Sequence, residues 1–176
     1  MVFKESQLHL MVLKMTELDL IKLAEKAVSN LKEKNKTLAL AESCTGGWVS
    51  KLITDVSGAS AIYQGGVCSY SNEVKMKVLS VRKETLDSFG AVSEQVAVQM
   101  AEGVRSSLNS DIGIGITGIA GPLSDNTAKP VGLIYIAVAT GDKTTCTELK
   151  NNFTEKIRLQ NRMSAAKTAL TLLGDI

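Results

Sequence analysis

The sequence predicts an α/β fold of three layers, in which helices cover both faces of a mixed and largely buried sheet. Amphipathic helical segments and strand-length apolar runs interleave along the chain, the pattern of a sheet sandwiched between helices. Two of those runs, Asp111 to Thr117 and Val131 to Ala139, are almost wholly apolar and so belong in the middle of a covered sheet. A third, Thr144 to Leu149, alternates as an edge strand does.

The elements follow in order. Thr16 with Asp19 reads as a helix cap, after which Leu20, Ile21, Ala24, Val28 and Leu31 recur at helical spacing until the polar run Lys32 to Lys36. Thr37 to Glu42 is a strand. A helix is expected from about Gly46 to Thr54, then a strand within Ala61 to Tyr70, where Tyr63, Val67 and Ser69 sit among glycines. Asn72 to Leu79 and Lys83 to Phe89 are short helices. Ser93, with Glu94 and Gln95, opens a longer one carrying Val96, Val98, Met100, Val104 and Leu108. Thr154 to Leu173 closes the chain with Ile157, Met163, Ala166, Leu170 and Leu173 along one face. Residues 1–15 fit none of this and stay unassigned as an amino-terminal extension, which leaves 16–176 as a single domain.

Composition removes several classes of function. The 176 residues are 44% apolar, enough for a substantial core, and 20 Lys and Arg against 18 Asp and Glu leave a charge of +2 with the signs mixed along the helices. A basic stripe for nucleic acid is missing. The apolar stretch Leu8 to Met15 is interrupted by His9 and Lys14 and is too short to span a bilayer, so a cytoplasmic protein is expected. Cys44, Cys68 and Cys146 lack the paired spacing of a zinc or redox site and read as free thiols. Gly113-Ile114-Gly115-Ile116-Thr117-Gly118 has the letters of a dinucleotide fingerprint but lies within a strand instead of a strand-turn-helix corner.

The most informative stretch is Thr37 to Gly47, where an apolar strand stops at Ser43 and passes into a glycine pair that opens a helix. Side chains at the carboxyl end of such a strand project into the crevice where open α/β sheets bind ligands, and the next helix turns free N–H groups the same way. Ser43 is therefore a candidate nucleophile, although Ser43 and Thr45 would also serve as a plain helix cap. His9 is the only histidine and sits in the unassigned arm, so no Ser-His-Asp triad can be built. The base for Ser43 must come from Lys, Tyr or a carboxylate. If the strand ending at Tyr70 lies beside the first, Tyr70 emerges at the same edge, and Lys75, a turn into the next helix, can reach back. Alone, Lys75 would read as a solvated helix lysine and Tyr70 as a strand-end aromatic.

Four blocks carry a family resemblance: Ala41-Glu42-Ser43-Cys44-Thr45-Gly46-Gly47; Gly65 through Lys75; Gly90-Ala91-Val92-Ser93; and Thr117-Gly118-Ile119-Ala120-Gly121-Pro122 followed by Lys129-Pro130-Val131-Gly132. In this order they resemble the carboxy-terminal domain of the CinA family of competence/damage-inducible proteins, whose stand-alone members include nicotinamide mononucleotide deamidases of the PncC type. The resemblance runs from about Leu20 to Leu173. It implies an amidohydrolase of pyridine nucleotide salvage, which converts nicotinamide mononucleotide to nicotinic acid mononucleotide and ammonia, with Ser43, Tyr70 and Lys75 as its catalytic residues. No metal or cofactor is implied, and the partners are a small nucleotide substrate and further copies of the chain.

Backbone N–H groups of Cys44, Thr45 and Gly46 would form the oxyanion hole, while the Cys44 thiol is read as packing. Glu42 and Asn72 are polar groups at the same edge with possible contacts to substrate. Thr117, Gly118, Ala120 and Gly121 would either let ribose or phosphate approach the backbone or form a simple turn; Lys129 would either neutralise phosphate or be an ordinary loop charge. Two departures from the family pattern stand out. Leu123-Ser124-Asp125-Asn126 replaces a glycine-rich stretch, and the Gly-Asp-Arg motif expected before the last helix is missing from Asn152 to Arg158, where Arg158 matches the second arginine of that pattern. They leave room for a rival reading, a catalytically inactive nucleotide-binding or competence-associated module, or for hydrolysis of another small amide.

Overall fold

The computed structural model of the protein describes residues 16–124 and 127–176. Its first helix, α1 (Glu17–Glu33), starts at a capping box in which the Thr16 hydroxyl accepts from the Asp19 N–H and the Asp19 carboxylate accepts from the Thr16 N–H. There follow β1 (Leu38–Glu42), α2 (Trp48–Thr54), a short 3-10 turn Ala59–Ala61, β2 (Tyr63–Cys68), α3 (Asn72–Leu79), α4 (Lys83–Phe89), α5 (Glu94–Ser107), β3 (Ile112–Gly118), β4 (Leu133–Ala139), β5 (Thr144–Lys150) and α6 (Ile157–Gly174). Ser71 and Ser93 cap α3 and α5 through their hydroxyls.

The strands form one mixed sheet in the order β2-β1-β3-β4-β5. β1 runs parallel to β2 and β3, while β3 to β4 and β4 to β5 are antiparallel. The α/β layering expected from sequence is what the chain adopts. Boundaries move where the backbone demands it. Gly46 and Gly47 take φ of 61° and 87°, so α2 begins at Trp48 and not at Gly46. Gly132 at φ 91° turns the chain before β4, which delays that strand from Val131 to Leu133. The 3-10 turn takes the front of the segment expected to open β2.

The two faces of the sheet are unlike. Leu38 and Leu40 of β1, Ile112, Ile114 and Ile116 of β3, and Ile134, Ile136 and Val138 of β4 project towards α1, α2 and α6 and make the larger core. On the other face the same strands carry Ala39, Ala41, Gly113, Gly115, Ala137 and Ala139. Those small residues let α5 settle almost on the strand backbones. A Cβ on Gly115 would overlap the Ala97 carbonyl oxygen of α5 and stand 2.6 Å from the Ala101 nitrogen; one on Gly113 would meet the Ala101 carbonyl and stand 2.6 Å from the Arg105 Cβ. The fingerprint-like glycines are thus packing glycines. Gly115→Ala is expected to destabilise by about 2 kcal/mol or more, because backbone cannot yield as a side chain can, whereas Ile114→Val on the opposite face costs about 1 kcal/mol. Denaturant unfolding of the two variants measures the difference.

Candidate active site

The site lies where the parallel strands β1 and β3 end. The Ser43 N–H donates to the Ile116 carbonyl at 3.0 Å, one rung beyond the last β1 residue, so the backbone of Ser43 prolongs the sheet. Strand alternation sends Leu38, Leu40 and Glu42 towards α2 and Ser43 the other way. On that other side α3 carries Lys75, which with Leu79 one turn later forms its buried face. Lys75 is only 1% exposed, and its Nζ donates to the Ser43 Oγ at 3.2 Å and to the Ser69 carbonyl at 2.5 Å. Burial disfavours the ammonium and lowers its pKa to about 8, with the Cys44 thiol opposing weakly. A hydroxyl and an amine that is easily deprotonated therefore stand in hydrogen-bond contact, the arrangement a serine nucleophile needs in place of imidazole.

The remaining candidates take varied places. Tyr70 is 68% exposed and lines the same cleft, but its hydroxyl accepts from the Arg158 guanidinium at 3.4 Å and has no hydrogen bond to Ser43 or Lys75. Cys44 is buried and its thiol is pushed up to about 12, first by burial and then by the nearby Glu42. Thr45 is fully buried with its hydroxyl unpartnered among the described residues, and its carbonyl accepts from Arg162 at 2.8 Å. The Gly46 N–H, expected in the oxyanion hole, is taken by the Ser43 carbonyl at 3.1 Å. The N–H groups of Cys44 and Thr45 donate to no oxygen among the described residues, so an oxyanion hole here narrows to those two.

Four expected substrate contacts are otherwise engaged or displaced. Glu42 is 1% exposed and faces α2, where its carboxylate accepts from the N–H groups of Gly47 (3.0 Å), Val49 (3.2 Å) and Ser50 (2.8 Å) and from the Ser50 hydroxyl (2.7 Å). It caps the helix from within instead of meeting substrate. Thr117 donates its hydroxyl to the Ala91 carbonyl at 2.8 Å. The Lys129 ammonium is held by the carbonyls of Phe89 and Val92, so its donors point into the loop before α5. Asn72 is exposed at the start of α3 and is absent from the cleft lining.

The cleft has a volume of about 230 Å³ and is walled by Ser43, Tyr70, Val92, the segment Gly118 to Gly121, Leu123 and Arg158. Asp125 and Asn126 lie outside the described residues. A larger cavity of about 570 Å³ opens at the opposite end of the sheet among Lys36, Arg105, Asp111 and Lys143, but neither Ser43 nor Lys75 reaches it. Sequence reasoning underrated the arginines of α6. Arg158 donates to the Gly121 carbonyl at 3.1 Å as well as to Tyr70, and Arg162 packs 5.1 Å over the Trp48 ring. Their i, i+4 spacing at the start of a helix was a legible sign that they share one face.

The profile of the CinA C-terminal domain matches residues 20–176. A CinA-like protein from Syntrophomonas wolfei is 49% identical over 138 residues, which cover 78% of this chain and 32% of that protein. The chain spans about a third of the length of the curated relatives it matches, at 34% for the first of them. Among solved structures, the competence/damage inducible protein CihA from Agrobacterium tumefaciens superposes with a TM-score of 0.84 at 33% identity, over 92% of this chain and 97% of that one. A CinA superfamily protein from Escherichia coli superposes with a TM-score of 0.83 at 27% identity, over 94% and 95% of the two chains.

Proposed function

The chain belongs to the CinA C-terminal domain family, and from that membership and the contact between Ser43 and Lys75 we propose that it is a serine amidohydrolase acting on the carboxamide of nicotinamide mononucleotide. The observation that carries this reading is a lysine buried to 1% exposure, with its pKa lowered to about 8, donating to a hydroxyl at the end of a sheet strand. In its neutral form Lys75 accepts the Ser43 proton as Oγ attacks the carboxamide carbon, and the carbonyl electrons pass to oxygen, which the N–H groups of Cys44 and Thr45 receive. The Lys75 ammonium then protonates the leaving nitrogen, the C–N bond breaks, and ammonia departs from an acyl-Ser43 ester. Lys75 then takes a proton from water as the water oxygen attacks the ester carbonyl, the C–O bond to Ser43 breaks to release the carboxylic acid, and the Lys75 ammonium returns the proton to the Ser43 Oγ.

The cleft, smaller than the roughly 300–1,000 Å³ of sites that swallow a whole ligand, suits the pyridinium amide, with the ribose phosphate lying across the rim. Arg158 is the cation nearest to meet that phosphate, and Tyr70 walls the mouth. The purified chain is expected to release ammonia and nicotinic acid mononucleotide from nicotinamide mononucleotide, with weaker turnover of the nucleoside and of free nicotinamide. Binding of the nucleotide without turnover of any of the three sinks the enzyme reading in favour of a non-catalytic module. Because only neutral Lys75 can accept the Ser43 proton, kcat/KM is expected to rise with pH through an apparent pKa of about 8. A profile flat from pH 6 to 9 removes Lys75 as the base.

A further inference from the structure

The carbonyl groups of Phe89, Gly90, Ala91 and Val92, which lead from α4 into α5, accept no backbone N–H among the described residues. Side chains hold all four. The Gly90 carbonyl accepts from the Ser93 hydroxyl at 3.0 Å, the Ala91 carbonyl accepts from the Thr117 hydroxyl at 2.8 Å, and those of Phe89 and Val92 both accept from the Lys129 ammonium. Three of the four ties thus come from β3 and from the connection between β3 and β4, far along the chain. The consequence falls on Val92, which is 6% exposed, packs with Ile119 and Leu133, and stands in the wall of the cleft.

Lys129 is half-buried and belongs to none of the ion pairs among the described residues, so no carboxylate draws its ammonium away from those carbonyls. Charge-assisted bonds of this kind are stronger than neutral ones by roughly a factor of two. Gly90, at φ 72°, takes the loop closely round the ammonium: a Cβ there would stand 3.4 Å from the Lys129 Nζ. With two N–H donors engaged and the residue absent from the cleft lining, Lys129 meets the backbone at Val92 and not a ligand. Its own connection also supplies Ile119, Ala120, Gly121 and Leu123 to the same cleft. We propose that Lys129 is a positioning residue for substrate: its ammonium clasps Phe89 and Val92 to the β3–β4 connection, so that the Val92 side chain is fixed as the apolar seat of the pyridine ring. The cation thereby acts on the ring end of the substrate, through Val92, and not on the phosphate.

This inference rests on the cleft being the amide site. Lys129→Met leaves Ser43 and Lys75 untouched, so KM is expected to rise about tenfold for nicotinamide mononucleotide and by the same factor for nicotinamide riboside, with kcat within about twofold. A Lys129 that met the phosphate would raise KM for the nucleotide and leave the riboside alone, and one that only added stability would lower the melting temperature and leave both KM values. Either result overturns the proposal. Val92→Ala is expected to raise both KM values by a similar factor, and Lys129→Met/Val92→Ala to go no more than about twofold beyond the larger single effect, since both act through one seat. Additive losses overturn it. Should Lys129→Met fail to fold, Lys129→Arg keeps the charge but brings a planar fork to two carbonyls three residues apart, and both KM values are expected to rise about threefold. At a phosphate contact Arg would serve as well as Lys, so unchanged KM values overturn the proposal. In the free protein, the Val92 methyl resonances of Lys129→Met are expected to shift and their nuclear Overhauser contact with Ile119 to weaken. Unmoved signals overturn the clasp whether or not any amide is turned over, so its failure and that of the amidase reading are told apart.

Discussion

Ser43→Ala is expected to release no measurable ammonia from nicotinamide mononucleotide, a loss of roughly 10³-fold or more, while the protein keeps its fold and its affinity for the nucleotide. The magnitude follows from removing the attacking atom itself, for which orientation and oxyanion stabilisation can compensate only in small part. The fold survives because Ser43 is held through its backbone, by the N–H bond to the Ile116 carbonyl, and the lost hydroxyl serves one hydrogen bond, from Lys75. A coupled ammonia assay, circular dichroism and calorimetric binding of the nucleotide test the three parts together. A variant that still turns over within tenfold of wild type excludes an acyl-Ser43 intermediate.

Lys75→Met is expected to abolish turnover and at the same time to stabilise the protein, a combination that separates a functional residue from a structural one. Burial lowers the folded-state pKa of Lys75 from 10.5 to about 8, a difference equivalent to about 3 kcal/mol against the charged form. Loss of the bond to the Ser69 carbonyl returns about 1 kcal/mol, so a net gain of about 2 kcal/mol is expected at pH 7. The sign with pH is fixed by proton counting. Between pH 8 and 10.5 the unfolded chain binds a proton that the folded chain does not, so wild-type stability rises with pH across that window. The advantage of Lys75→Met is therefore complete below pH 8 and fades towards pH 10.5. Urea unfolding of both proteins at pH 7 and pH 10 checks it, and a stability gap that does not shrink refutes the burial account.

Elements defined by periodicity were legible in the sequence, because strand and helix patterns are local. The Thr16 to Asp19 capping box, the covered strands β3 and β4 and the alternating edge β5 each follow from residue order alone. The approach of Lys75 to Ser43 was legible only through the motif spacing, since nothing local to Lys75 says that α3 turns that residue inward beside Leu79. Glu42 was misjudged as a substrate contact although it shares the parity of Leu38 and Leu40 and so had to face α2. Lys129 and Thr117 could not have been placed, because the carbonyls that hold them come from the last residue of α4 and the loop between α4 and α5, distant in sequence. Boundary errors at α2 and β4 came from glycines whose left-handed backbone turns the chain before the next element can start.

Ser43 is a rung of the sheet, whereas the facing wall leaves the ladder after Ile119, whose N–H donates to the Leu133 carbonyl, and continues from Ala120 to Leu123. On the proposed reading, bond-making is thereby anchored to the sheet, and recognition is shared with the segment from Ala120 onward, which has left the ladder. If the proposed chemistry holds, such a division would let replacements at Leu123 and Ser124 change substrate preference without disturbing Ser43 and Lys75, much as a tool holder accepts different bits while the spindle stays true.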